Sequence, residues 1–119
     1  MSGLPPSPDI ARVMANYRLT QLAEADLHAI ADYSATEFGL AQASQYFAGL
    51  DQCLEMLANT PLVGREAEDL APAVRRFLYQ VHVVFYRPTE YGVLIVRVLH
   101  RRMDVDRHLL AEDFILSQT

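Results

Sequence analysis

The chain has 119 residues, enough for a single domain that buries its own core. Hydrophobic residues make up 51% and charged residues 21%, which excludes a disordered or fibrous chain, and the apolar runs are too short for a membrane span. A net charge of −5 argues against holding nucleic acid by bulk charge, and the single Cys53 excludes a disulfide framework or a thiolate metal cluster within one chain. With no apolar leader segment, the chain reads as a reduced, cytoplasmic protein. The charge is unevenly spread. All ten basic residues are arginine; residues 16–73 hold nine acids against two arginines, and residues 74–110 hold seven arginines against three acids.

Residues 1–15, with Pro5, Pro6 and Pro8 and no apolar period, read as a flexible arm. Met14 immediately precedes the first patterned segment and is a candidate translation start. Residues 16–110 read as the domain and 111–119 as a tail. Tyr17-Arg18-Leu19 alternates as a short strand, and Thr20 offers a hydroxyl to cap a helix whose start is favoured by Glu24 and Asp26. Ala23, Leu27, Ile30, Ser34 and Phe38 follow helical spacing and predict one buried stripe, ended at Gly39. Ala43, Phe47, Leu50, Leu54 and Leu57 repeat the pattern, flanked by Tyr46 and Cys53, until Asn59-Thr60-Pro61 stops it. Two helices joined at one glycine fold back as a hairpin.

After Pro72 the period changes. Residues 74–79, 82–87 and 93–101 are rich in Val, Ile, Phe and Tyr at strand length, with a turn over 88–92. Gln80-Val81 joins the first two strands without Gly or Asn, so the turn type is left open. The nearly continuous apolar run from Val93 to Leu99 predicts a strand covered on both faces. The order strand, helix, helix, three strands predicts an α+β fold, with the helical hairpin packed on an antiparallel sheet.

Chemistry is sparse. His100, Asp104 and His108 are four apart, but His100 closes a strand, so no shared metal-binding face is expected. Cys53 on an apolar helix flank reads as a small hydrophobe, and neither a phosphate-binding Gly-rich loop nor a Gly-x-Ser-x-Gly elbow occurs. No cofactor is implied. RNA cleavage needs an acid, a base and cations near the phosphorane. His82, His100, Tyr79 and Tyr86 could supply the first two, and Arg65, Arg75, Arg76 or Arg97 the third, without diagnostic spacing. Each also has a structural role to expect: Tyr86 half-buried in the core, His82 solvated, and Arg97 paired with an acid of the helical hairpin. The densest cluster is Arg97 with His100-Arg101-Arg102-Met103-Asp104, where arginines beside a bare methionine suit a protein contact.

The segments Tyr17-Arg18-Leu19-Thr20, Ala25-Asp26-Leu27 with Ile30 and Tyr33, Gly39, and Pro61 with Gly64-Arg65 resemble the ParE branch of the RelE/ParE toxins. So do Val74-Arg75-Arg76, His82-Val83-Val84-Phe85-Tyr86 and, above all, Val96 to Asp104 with its Leu-His-x-x-Met-Asp ending. The resemblance covers about Ala15 to Leu110. It implies a strand, a helical hairpin and an antiparallel sheet, in a type II toxin neutralised by a ParD-like antitoxin. It also implies poisoning of DNA gyrase, whereas RelE-type relatives cut messenger RNA on the ribosome. The chain has no Lys, is acidic and has no Tyr after Tyr91, which favours ParE over RelE. The missing glycine at Gln80-Val81 and the Pro-rich arm depart from the family. On this reading Arg101, Arg102, Met103, Arg75 and Arg76 contact the target, and Tyr33, Phe38 and Tyr46 receive the antitoxin. No sequence-specific nucleic-acid binding is expected. Two alternatives stand beside it: a ribosome-dependent endoribonuclease using His100, Arg97 and Arg65, and a non-toxic family member serving only operon autoregulation. Asp104 is expected to hold its turn through backbone N–H groups.

Overall fold

A computed structural model of the chain describes residues 16–103. The arm with its candidate start at Met14, Asp104, His108 and the 111–119 tail lie outside the described residues. The elements are β1 (Asn16–Leu19), α1 (Gln21–Phe38), α2 (Leu40–Asn59), β2 (Arg65–Glu66), β3 (Arg75–Tyr79), β4 (His82–Thr89) and β5 (Gly92–His100). Thr20 caps α1 by accepting the Ala23 N–H at 3.0 Å. Gly39, at φ 88°, is at once the end of α1 and the start of α2: its N–H goes to Ala35 and its C=O accepts from Ala43. That single residue makes the hairpin.

The strands form one sheet in the order β1-β5-β4-β3-β2. It is mixed, where the sequence predicted an antiparallel sheet: β1 runs parallel to β5, with Asn16 opposite Gly92 and Leu19 opposite Ile95. Both helices and three strands separate β1 from β5, so no hairpin fixes their relative direction. β2 was not legible because its two residues are exposed and carry no apolar alternation. β4 continues through Pro88, beyond the last pairing with β3 at Tyr86, where a missing N–H costs the ladder nothing. The turn left open by the sequence is solved by Gln80 adopting φ 53°, a conformation that glycine or asparagine usually supplies.

The two sheet faces carry separate cores. Val84, Tyr86, Val93, Ile95 and Val98 pack with Leu50, Leu54 and Leu57 of α2. Phe85, Val96 and Leu99 pack on the other side with Ala67, Leu70, Ala71 and Val74, from the loop between β2 and β3. β5 is therefore covered on both faces, as its apolar run predicts. Between Phe85 and Tyr86 the register slips by one residue, leaving Val96 as an extra residue in β5 and switching the faces of the residues beyond it.

Phe38 departs from the predicted stripe. It is 56% exposed, because α1 runs past the sheet before it ends, while Ser34 one turn earlier is still buried. Tyr86 is wholly buried rather than half-buried; its hydroxyl donates to Pro61 C=O at 2.7 Å and accepts the Gly64 N–H at 2.9 Å. Tyr86→Phe should therefore cost about 1–3 kcal/mol by stranding that N–H, read as a lower midpoint in denaturant unfolding.

Candidate functional site

The end of β5 is where the charged residues gather, and each is held differently. β1 stops at Leu19, leaving the β5 edge open from Val96 onward. Two side chains of the α1 region continue the ladder: Thr20 Oγ1 donates to Val96 C=O at 2.8 Å, and Asp26 Oδ2 accepts the Val98 N–H at 3.0 Å. The same carboxylate takes both Nε (2.8 Å) and Nη2 (3.0 Å) of Arg97. The Arg97 and Asp26 side chains are only 16% and 13% exposed, so this is the expected pair with the helical hairpin. Arg97 is engaged by the fold through Asp26.

Arg75 is likewise engaged within the fold. Its Nη1 donates to Leu62 C=O at 3.2 Å and Gly64 C=O at 2.6 Å, and Nη2 lies 3.6 Å from Glu66. With Tyr86 it pins the loop after α2, holding Leu62 and Val63 outward at a surface the sequence did not single out.

Past β5 the chain makes a tight turn. Arg101 N–H donates to Val81 C=O at 2.7 Å, Arg102 N–H to His100 Nδ1 at 3.1 Å, and Met103 N–H to His100 C=O at 2.9 Å. The backbone is thus fixed while the Arg101, Arg102 and Met103 side chains stand exposed. On the helix side of this turn lies a groove of about 720 Å³ between α1, α2, the β3–β4 turn and the end of β5. Tyr33 (63% exposed) and Phe38 meet edge to face at 6.5 Å on its wall, and Tyr46 lines it from α2. On the other side, a second hollow of about 640 Å³ brings together Arg65, Arg76, Arg101 and His100 over Leu78 and Phe85. Arg65 and Arg76 stand directly opposite each other on β2 and β3, an unfavourable like-charge pairing. Leu99, His100 and Met103 line both cavities, so groove and cationic hollow meet at the end of β5.

His82 is buried, not solvated as the sequence suggests, and it faces the groove. It sits opposite His100 across the β4–β5 ladder, with ring centres 5.5 Å apart, and its Nδ1 lies 2.6 Å from the Tyr46 hydroxyl. Burial, then the nearby His100, lowers the His82 pKa below the usual histidine value. Burial, then Tyr79, pushes the Tyr46 phenol up to about 12. Counting outward from the β4–β5 turn puts His82 opposite Leu99; the slip at Val96, which the sequence does not announce, moves it opposite His100. Cys53 is buried, its thiol pushed up to about 11 by burial, which makes it inert. Among the described residues no three metal-ligating side chains converge, and no helix is long and apolar enough to cross a membrane.

Residues 17–105 match the sequence model of the family described as ParE toxin of type II toxin-antitoxin system, parDE. The chain belongs to the ParE toxin family. It is 38% identical over 96 residues to Toxin ParE1 of Mycobacterium tuberculosis (strain ATCC 25618 / H37Rv), covering 80% of this chain and 98% of that protein. To Toxin ParE1 of Caulobacter vibrioides it is 42% identical over 96 residues, covering 81% and 99%. Toxin ParE of Escherichia coli is 39% identical over 93 residues, covering 77% and 90%. A chain of the solved chromosomal ParDE TA system from P. aeruginosa superposes with a TM-score of 0.57 at 26% identity, over 73% of this chain and 96% of that one. The ParE fold here is thus strand, helical hairpin and mixed five-stranded sheet, and the family match covers β1 to the cationic turn.

Proposed function

We propose that this ParE-family toxin acts in the cytoplasm by binding DNA gyrase and stalling it on cleaved DNA, and that a ParD-like antitoxin silences it from the groove between α1 and α2. Retention of the replicon carrying the pair would follow. The observation that carries this reading is the meeting of the two cavities at Leu99, His100 and Met103. An apolar segment lying against Tyr33, Phe38 and Tyr46 covers the root of the Arg101-Arg102-Met103 turn, so one docking event both satisfies the exposed aromatics and masks the arginines. Arginine forks on a fixed turn suit carboxylates of a protein target and phosphates of its bound DNA alike. Arg76, exposed in the adjoining hollow, extends the same surface.

Arg101→Ala with Arg102→Ala should leave unfolding within about 0.5 kcal/mol of the parent, since exposed substitutions rarely cost more. Growth inhibition and gyrase-dependent DNA breakage should fall together. A folded double variant that poisons gyrase at full strength overturns the role of the turn. Induced expression of the parent should stop DNA synthesis before translation. Translation stopping first would instead favour messenger-RNA cleavage from the Arg65 and His100 hollow, and absence of any growth effect would favour a purely autoregulatory member.

A further inference from the structure

The histidine pair in the groove has a hydrogen-bonding arrangement that fixes which ring atoms are left over. The Tyr46 phenol stays protonated far above neutral pH and lies 2.6 Å from His82 Nδ1, so in the neutral ring Tyr46 donates and the proton of His82 sits on Nε2. His100 Nδ1 accepts the Arg102 N–H, which places its ring proton on Nε2 as well. Two imidazole N–H donors on facing strands therefore line one apolar groove.

We propose that His82 and His100 form a carboxylate-binding site in the groove, and that a carboxylate on an apolar segment of a protein partner is bound there together with one proton, taken up by His82. The proposal rests on the groove being where a protein partner docks. The fold provides for the proton. When Nδ1 of His82 gains a hydrogen, the Tyr46 hydroxyl becomes its acceptor and turns its own hydrogen to the Tyr79 carbonyl, 3.5 Å away. His100 has no such relay, because a proton on its Nδ1 would oppose the Arg102 N–H. His82, with this relay, is thus the proton acceptor.

The surrounding charges agree. α1 contributes Asp26, the one carboxylate lining the groove among the described residues, and both its oxygens are held by Arg97 and the Val98 N–H. α1 also brings Tyr33, α2 Tyr46 and β3 Tyr79; β5 brings His100, followed by the cations Arg101 and Arg102. Nothing described therefore neutralises a charged His82 from within, and burial keeps the free ring neutral. A partner carboxylate raises its pKa. Affinity is highest below the free value, falls as pH rises toward the value in the complex, and is flat above it.

The test uses the whole chain, with hexanoate and hexanol as probes of equal tail length, followed by NMR of the imidazole and aromatic ring signals. Hexanoate should raise the His82 midpoint by about one unit, so its affinity should drop about tenfold in all from pH below the free midpoint to pH above the midpoint in the complex. Hexanol should perturb Tyr33 and Phe38 with no pH dependence. His82→Gln should abolish the pH dependence. His100→Gln, at an exposed position, should weaken hexanoate while leaving hexanol unchanged. Hexanol binding with His82 indifferent to hexanoate overturns the carboxylate site and leaves the groove reading standing. Neither probe perturbing the groove overturns both.

Discussion

Asp26→Ala should lower stability by about 3–5 kcal/mol, because it removes the carboxylate that both the buried Arg97 guanidinium and the Val98 N–H donate to. For a domain of this size that corresponds to a fall in Tm on the order of 10–20 °C. The loss is of two kinds, and a double variant separates them. Asp26→Leu with Arg97→Met removes the buried guanidinium as well and should recover much of the stability, while the Val98 N–H without its Asp26 acceptor still costs about 1–3 kcal/mol. Because the pair is largely buried, added salt should change the single-variant effect little. Thermal and denaturant unfolding of the parent and both variants checks this; a loss below about 1 kcal/mol for Asp26→Ala would falsify the view that this carboxylate closes the β5 edge.

Gly92→Ala is expected to cost about 2–4 kcal/mol. Gly92 opens β5 at φ 143°, and a Cβ there would overlap the carbonyl oxygen of Asn16, its partner in the parallel pair. The backbone strain and the overlap act together, since either relaxing Gly92 or moving Asn16 pulls β1 off the sheet. Amide exchange should show it locally, with Tyr17 to Leu19 losing protection before β4 does. Gly39→Ala, where nothing crowds the new methyl, should cost about 1–3 kcal/mol from its backbone conformation alone. Equal effects at the two glycines would mean that strand contact contributes nothing.

Much of this architecture is written in local signals. The Thr20 cap, the Gly39 break, the α2 stripe and the apolar β5 run each depend on residues close in sequence, and each reappears in the structure. What was not legible depends on distant pairing. The parallel direction of β1, the two-residue β2 and the slip at Val96 arise from strands meeting in space. The same holds for the site. Arg101, Arg102 and Met103 stand where the run past β5 suggests, and the ion pair of Arg97 with the hairpin was foreseeable from a lone charge in an apolar strand. Arg75 gave no such warning: its exposed-looking guanidinium is folded onto carbonyls of a loop eleven and thirteen residues earlier. His82 was hidden because its burial comes from Tyr46, 36 residues away on a helix.

The pairing of β1 with β5 also bears on how the protein is made. The strand that leaves the ribosome early must wait for one that emerges much later: Thr20 and its acceptor Val96 are 76 residues apart. At about 5–20 residues per second the helical hairpin is out for several seconds before its sheet can be finished. During that interval the groove does not exist, since His100 and Met103 are among its walls. On the proposed reading, a nascent chain offers the antitoxin no completed groove, and a chain that terminates before β5 leaves the opening strand without its partner. On that reading synthesis and toxicity are separated in time by topology, and the antitoxin has to be waiting at the moment of release.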